Sequence, residues 1–189
     1  MNNMLYLLQY VVLGLGVALL LFRVGVALHA YFRLKDKMLI TCPETKQPAA
    51  VSVDATQAAE QSLLGEPHLR LSECSRWPER QGCGQECLSQ IEAAPEDCLV
   101  RTAVAKWYAG KVCEYCGKPI QSVDWLGGQR PALLDPDRKT VQWDQIGPEK
   151  LPEVFSKYAP VCWNCHVTET FRREHPELVV ERPWPKASY

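Results

Sequence analysis

From Leu5 to Phe22 the chain reads LYLLQYVVLGLGVALLLF, eighteen residues in which Gln9 is the one strongly polar side chain. At about 1.5 Å of rise per residue, a helix of that length almost crosses a hydrocarbon core of roughly 30 Å. Apolar character resumes after Arg23 as VGVALHAYF, so a membrane span is expected over residues 4–32. A helix apolar on every side reads as a span rather than as the buried helix of a soluble protein. A cleaved signal peptide is the competing reading. The preceding MNNM carries no Lys or Arg, the run is long for a signal core, and no small-x-small cleavage site follows. An uncleaved anchor is expected.

All 21 Lys and Arg lie at or after Arg23, and Arg33, Lys35 and Lys37 crowd the far flank against the single acid Asp36. The positive-inside rule then places the N-terminus outside and the rest of the chain in the cytoplasm, as a single-pass protein of a bacterial-type inner membrane. Setting aside the basic residues of the span and its flank leaves the remainder net acidic, with no basic stripe. Nucleic acid is not an expected partner.

Cytoplasmic thiols stay reduced, so nine cysteines read as metal ligands. Cys113-x-x-Cys116 and Cys162-x-x-Cys165 are two pairs at the spacing that lets both sulfurs of one turn reach one ion, and Gly117 allows the first turn to fold back. The second pair opens a helix, whose positive end favours thiolate. Four thiolates suit Zn2+, while a rubredoxin-type iron would use identical ligands. The segment CWNCH also matches the C-x-x-C-H signature of haem c attachment, which requires the opposite side of the membrane. Iron in the thiolate sites, as an iron–sulfur or rubredoxin-type centre, or haem c on that inverted topology, would make the chain an electron-transfer protein. His166 is read as a helix-surface bystander.

The layout of turn, hairpin and helix-borne second pair resembles the treble-clef and zinc-ribbon class of metal domains over about residues 111–175. The resemblance implies a zinc-stapled fold. It departs from the simplest pattern in having 45 residues between the pairs, so the intervening loop must carry structure of its own.

The other cysteines are Cys42, Cys74, Cys83, Cys87 and Cys98. Cys83 and Cys87 are four apart at an expected helix start, hence on one face. Cys42 lies in a turn between strands and Cys74 follows a strand. These four are candidates for a second site holding zinc or an iron–sulfur cluster, although no standard ferredoxin spacing is present. Cys98 is read as a core cysteine.

The expected fold class is α+β, one N-terminal transmembrane helix followed by a small Cys-rich metal-stapled domain. Residues 38–110 form Cys-rich hairpin and helices: MLITC pairs with AAVSV, ATQAAEQSLL is a helix ended by Gly65, LRLSEC a strand, and GQECLSQIEAA and PEDCLVRTAVAKWYAG are helices. Residues 111–176 form the two-knuckle unit, with a hairpin around Asp135-Pro136-Asp137 and helices at LPEVFSKY and CWNCHVTETFRRE. Residues 177–189 are an extended tail, with Trp184 between Pro183 and Pro185.

Arg23 is expected to snorkel toward the headgroups, His29 to act as an interfacial anchor, and Gly14 with Ala18 to offer a small-x-x-x-small face. Catalytic motifs are missing: there is no G-x-S-x-G, P-loop or H-E-x-x-H, and the expected hairpin has no histidine. The expected function is that of a non-catalytic, zinc-binding accessory or assembly subunit, with the bilayer and other membrane-protein subunits as partners.

Overall fold

The computed structural model describes residues 2–65, 67–79, 82–125 and 127–179, with side chains from Tyr6 onward. The tail from residue 180, including Trp184, lies outside the described residues. The chain divides into two compact units, one ending at Cys98 and one beginning at Leu99.

The first unit opens with α1 (Asn2–Leu34). Its 33 residues make a helix of about 50 Å at 1.5 Å per residue, well beyond the thickness of a hydrocarbon core. Every described side chain from Tyr6 to Phe22 is exposed, and the most apolar window reaches a mean hydropathy of 2.5. α1 is therefore long and apolar enough to span a membrane or to serve as a signal sequence.

Beyond α1 come β1 (Met38–Thr41), β2 (Pro48–Val53), α2 (Ala55–Ser62) and β3 (Leu71–Cys74). The strands form one antiparallel sheet in the order β1-β2-β3, with Leu39 opposite Ala50 and Ser52 opposite Glu73. Ala49, Val51 and Val53, alternating along β2, are buried on one face and Ala50 on the other. Asp54 caps α2 by accepting the Gln57 amide over 2.9 Å.

α2 packs along α1. The Arg23 guanidinium donates to the Leu63 carbonyl over 3.0 Å. Arg23 therefore sits level with the end of α2, and the helix beyond it is partly sheathed by this unit. Exposed apolar side chains nevertheless continue past Arg23, at Val24, Val26, Leu28, Tyr31 and Phe32, and the stretch apolar enough to span runs from Tyr6 to Leu34, which takes in the expected limit at Phe32. α3 (Leu88–Ala93) and α4 (Pro95–Cys98) complete the unit, and Arg33 meets Glu96 at 3.4 Å.

The second unit begins with α5 (Val100–Tyr108). One helix was expected from Pro95 through Tyr108. The backbone instead turns extended at Leu99 (φ −64°, ψ 130°), whose side chain is fully buried. Next come β4 (Ala132–Leu134) and β5 (Thr140–Val141), joined by the expected turn in which Asp135 Oδ1 accepts the Lys139 amide over 2.7 Å. α6 (Leu151–Lys157), β6 (Ala159–Val161) and α7 (Trp163–Glu174) follow.

β6 is absent from the sequence expectations, since it is three residues long and contains Pro160. It pairs with β4 at the edge of the sheet, order β5-β4-β6, where a residue lacking an N–H is tolerated. All three residues of β4 are buried. This strand is the template that holds the segments on its two sides.

Candidate metal centre

Cys113 and Cys116 lie in a closed turn. The Cys113 amide donates to the Lys118 carbonyl over 2.8 Å, the Gly117 amide donates to the Cys113 carbonyl over 2.9 Å, and Val112 bridges to Pro119. Gly117 has φ +67°, the left-handed conformation for which glycine was expected here. Cys162 and Cys165 come from the end of β6 and the first turn of α7, with Cys162 the residue that precedes the helix.

β6 brings the pairs together despite the long insert. Its hydrogen bonding to β4 sets Val161 opposite Ala132, and the Pro160 carbonyl accepts the Glu114 amide over 2.9 Å. The Cys162 amide then donates to the Cys113 sulfur over 3.3 Å. Leu134 and Val161, both buried, pack against the sulfurs with Tyr115 and Ile120 around them.

The four sulfurs lie within 4.8 Å of one another, and Cys116 Sγ stands 3.8 Å from Cys162 Sγ. A tetrahedron with metal–sulfur bonds of about 2.3 Å has edges of about 3.8 Å. The donor set and its spacing thus match a thiolate-bound metal ion, and Cys113, Cys116, Cys162 and Cys165 are the residues that would hold it.

Electrostatics agree with that chemistry. Burial raises the Cys113 thiol, yet the amides of Cys162, Cys116 and Tyr115 aimed at its sulfur bring it net below its ordinary value. Cys165 is pushed far up, first by burial and then by the neighbouring Cys162 and Cys113 sulfurs, and Cys162 is also raised, chiefly by burial. Four sulfurs facing one another, with Cys113 and Cys165 buried and Cys116 and Cys162 half-buried, cannot all ionise unaided. A cation in their midst reverses the sign of the repulsion.

In this arrangement both sulfurs of CWNCH face the other pair, as the four-cysteine reading requires. Haem attachment would need them turned to a macrocycle with His166 beneath it. His166 instead lies with Nε2 3.4 Å from Gln142 Nε2, and it is not among the cluster's ligand atoms. It is half-buried rather than on the helix surface, its Nδ1 has no partner among the described residues, and burial lowers its pKa. The helix wheel alone missed this because α7 lies against β5.

The first-half cysteines also converge. Cys42, Cys74, Cys83 and Cys87 line one cavity of about 270 Å³ in the first unit, together with Thr45, Arg76 and Trp77. The expected helical relation between Cys83 and Cys87 does not hold. α3 begins only at Leu88, and Gly82 (φ +88°) and Gln85 (φ +57°) turn the backbone of the preceding loop. Burial first, then the charges of Cys74, Cys83 and Cys42, push the Cys87 thiol up to about 11. Cys98 is not in this wall; its thiol lies 3.7 Å from the Gln90 carbonyl. All nine cysteines lie among the described residues and none forms a disulfide.

Comparison with family models, curated proteins and solved structures gave no match. The functional reading therefore rests on the chain's own geometry.

Proposed function

We propose that the chain is a membrane-anchored, zinc-stapled accessory or assembly subunit of a membrane protein complex, without catalytic activity of its own. The observation that carries this reading is the four-sulfur cluster of Cys113, Cys116, Cys162 and Cys165, in a chain whose other end is an exposed apolar helix. With all four corners of a tetrahedron supplied by protein thiols, a bound ion has no open position for substrate, which is the form of a structural rather than a catalytic zinc site. Bound zinc would clamp the first knuckle to β6 and α7, and so contribute folding energy to a unit of short strands.

On this reading α1 is an uncleaved anchor, with the N-terminus outside and the metal-bearing units in the cytoplasm. The basic flank at Arg33, Lys35 and Lys37 supports the orientation, and a reducing compartment keeps the thiols available as ligands. The hydrogen bond from Arg23 to Leu63 supports a charged head held by protein rather than left bare within the apolar run. Partners would dock on the Gly14–Ala18 face of α1 and on exposed Val167 and Phe171 of α7.

Metal analysis of the purified full chain, paired with reporter fusions at Tyr189, tests the reading. Zinc that depends on Cys113 and Cys165, with a cytoplasmic reporter, is the expected result. A haem absorption band, or a reporter active only outside, overturns it.

A further inference from the structure

The cavity walled by Cys42, Cys74, Cys83 and Cys87 is built on a turn that repeats the Cys113 knuckle. In the Cys113 turn the cysteine amide donates to the carbonyl five residues on over 2.8 Å, and the amide four residues on returns to the cysteine carbonyl over 2.9 Å. In the Cys42 turn the Cys42 amide donates to the Gln47 carbonyl over 2.9 Å, and the Lys46 amide donates to the Cys42 carbonyl over 2.8 Å. The residue four after the cysteine is left-handed in both, Gly117 at φ +67° and Lys46 at φ +58°. A lysine holds that conformation only where its surroundings over-determine it.

The two turns differ at the third residue after the cysteine. Cys116 stands there in one and Thr45 in the other. Thr45 lines the cavity, and its hydroxyl oxygen is buried without a hydrogen-bond partner among the described residues. The missing sulfurs come from elsewhere in the wall: Cys74 at the end of β3, and Cys83 and Cys87 from the loop before α3.

That loop is held in place by side-chain bonds to the sheet. Gln85 Oε1 accepts the Leu71 amide over 2.9 Å. Gln90 exchanges two bonds with Thr41, accepting its amide over 3.2 Å and donating to its carbonyl over 2.7 Å. The Gln85 amide is 3.4 Å from the Cys83 sulfur two residues before it, as the Tyr115 amide is aimed at the Cys113 sulfur two residues before it. Arg76 also lines the cavity, and its Nε is buried without a partner among the described residues. The other end of the same guanidinium pairs with Glu79 at 3.1 Å, so Nε is the buried donor of this side chain left unengaged.

We propose that Cys42, Cys74, Cys83 and Cys87 form a second thiolate metal centre, taking a zinc ion or an iron–sulfur cluster, with Arg76 Nε as a hydrogen-bond donor in its wall. Soft sulfur donors select these metals over magnesium or calcium, which take oxygen. The four cysteines line an open space, whereas the sulfurs of the Cys113 set close to within 4.8 Å of one another. A cluster occupies that space directly, and a zinc ion draws the loop inward. This centre stands independently of the Cys113 centre.

The test is the content of zinc, iron and acid-labile sulfide in the full chain, purified without oxygen in detergent, for the wild type, a C74S/C83S variant and a C113S/C165S variant. The expected result is that C74S/C83S loses one centre that C113S/C165S retains. Zinc alone in that fraction identifies an ion, and iron with sulfide identifies a cluster. Metal content unchanged in C74S/C83S overturns the proposal while leaving the Cys113 centre intact. Loss confined to C74S/C83S would instead overturn the Cys113 reading.

Alkylation of the wild type removes any dependence on variant folding. Cys83 is exposed, so burial cannot protect it. It is expected to react at least about tenfold more slowly before chelation than after it. Labelling of Cys83 in the untreated protein at the rate of a free thiol, or disulfides among the four cysteines, overturns the proposal.

Discussion

The Cys162 amide donates to the Cys113 sulfur over 3.3 Å, joining residues 49 apart in the chain. This contact places the start of α7 against the first knuckle, and it exists because β6 is already paired to β4. Metal affinity should therefore depend on the strand pairing as well as on the ligands.

Leu133 is fully buried at the centre of β4, opposite Val141 on one side and Pro160 on the other. Leu133→Ala is expected to cost about 2–5 kcal/mol through the cavity it leaves. Because β6 carries Cys162, the same variant should release zinc to a chelator faster than the wild type. Denaturant unfolding and chelator-competition kinetics measure the two effects.

Gly117 separates conformation from space. A Cβ there would meet nothing within 4 Å, yet the residue holds φ +67°. Gly117→Ala is therefore expected to destabilise by about 1–2 kcal/mol through the backbone alone. Gly117→Asn should recover part of that loss, since asparagine visits the left-handed region more readily. Thermal unfolding of the metal-bound chain compares the two.

The pH dependence should reverse when metal is removed. In the metal-free fold the Cys162 and Cys165 thiols are raised, while Cys113 is lowered. Cys87 goes from 9.0 to about 11. A thiol raised on folding adds stability that is full below its unfolded value and is lost as the pH climbs through the folded one. The chelated protein should accordingly weaken between pH 9 and about 11. Metal binding displaces thiol protons, so the loaded protein should instead lose metal on acidification. Unfolding midpoints of both forms across pH test the crossing; parallel profiles would contradict it.

What was legible in the sequence follows from how local each signal is. The cysteine pairs, Gly117 and the Asp135 turn are short-range patterns with one geometric solution, and each lies where expected. The hairpin of β1 and β2 could be read from its alternation and its turn residues. The approach of Cys42, Cys74, Cys83 and Cys87 was readable only as a list of candidates, because the loop before α3 depends on positive φ at Gly82 and Gln85. A helical rule put Cys83 and Cys87 on one wall for the wrong reason, since a loop and not a helix face carries them there.

The break at Leu99 is set by tertiary burial, which overrides a helix-favouring run. β6 escaped because a proline argues against a strand until the strand is known to be an edge. Thr45 had a usable signal, its place three residues after Cys42, where the other knuckle carries Cys116.

X-ray absorption by the metal bound to the full-length chain tests the central claim most directly. Four sulfur neighbours at about 2.3 Å, lost in C113S/C165S from the fraction that pair holds, are the expected result. A first shell containing nitrogen or oxygen, or thioether-linked haem at Cys162 and Cys165, would contradict it.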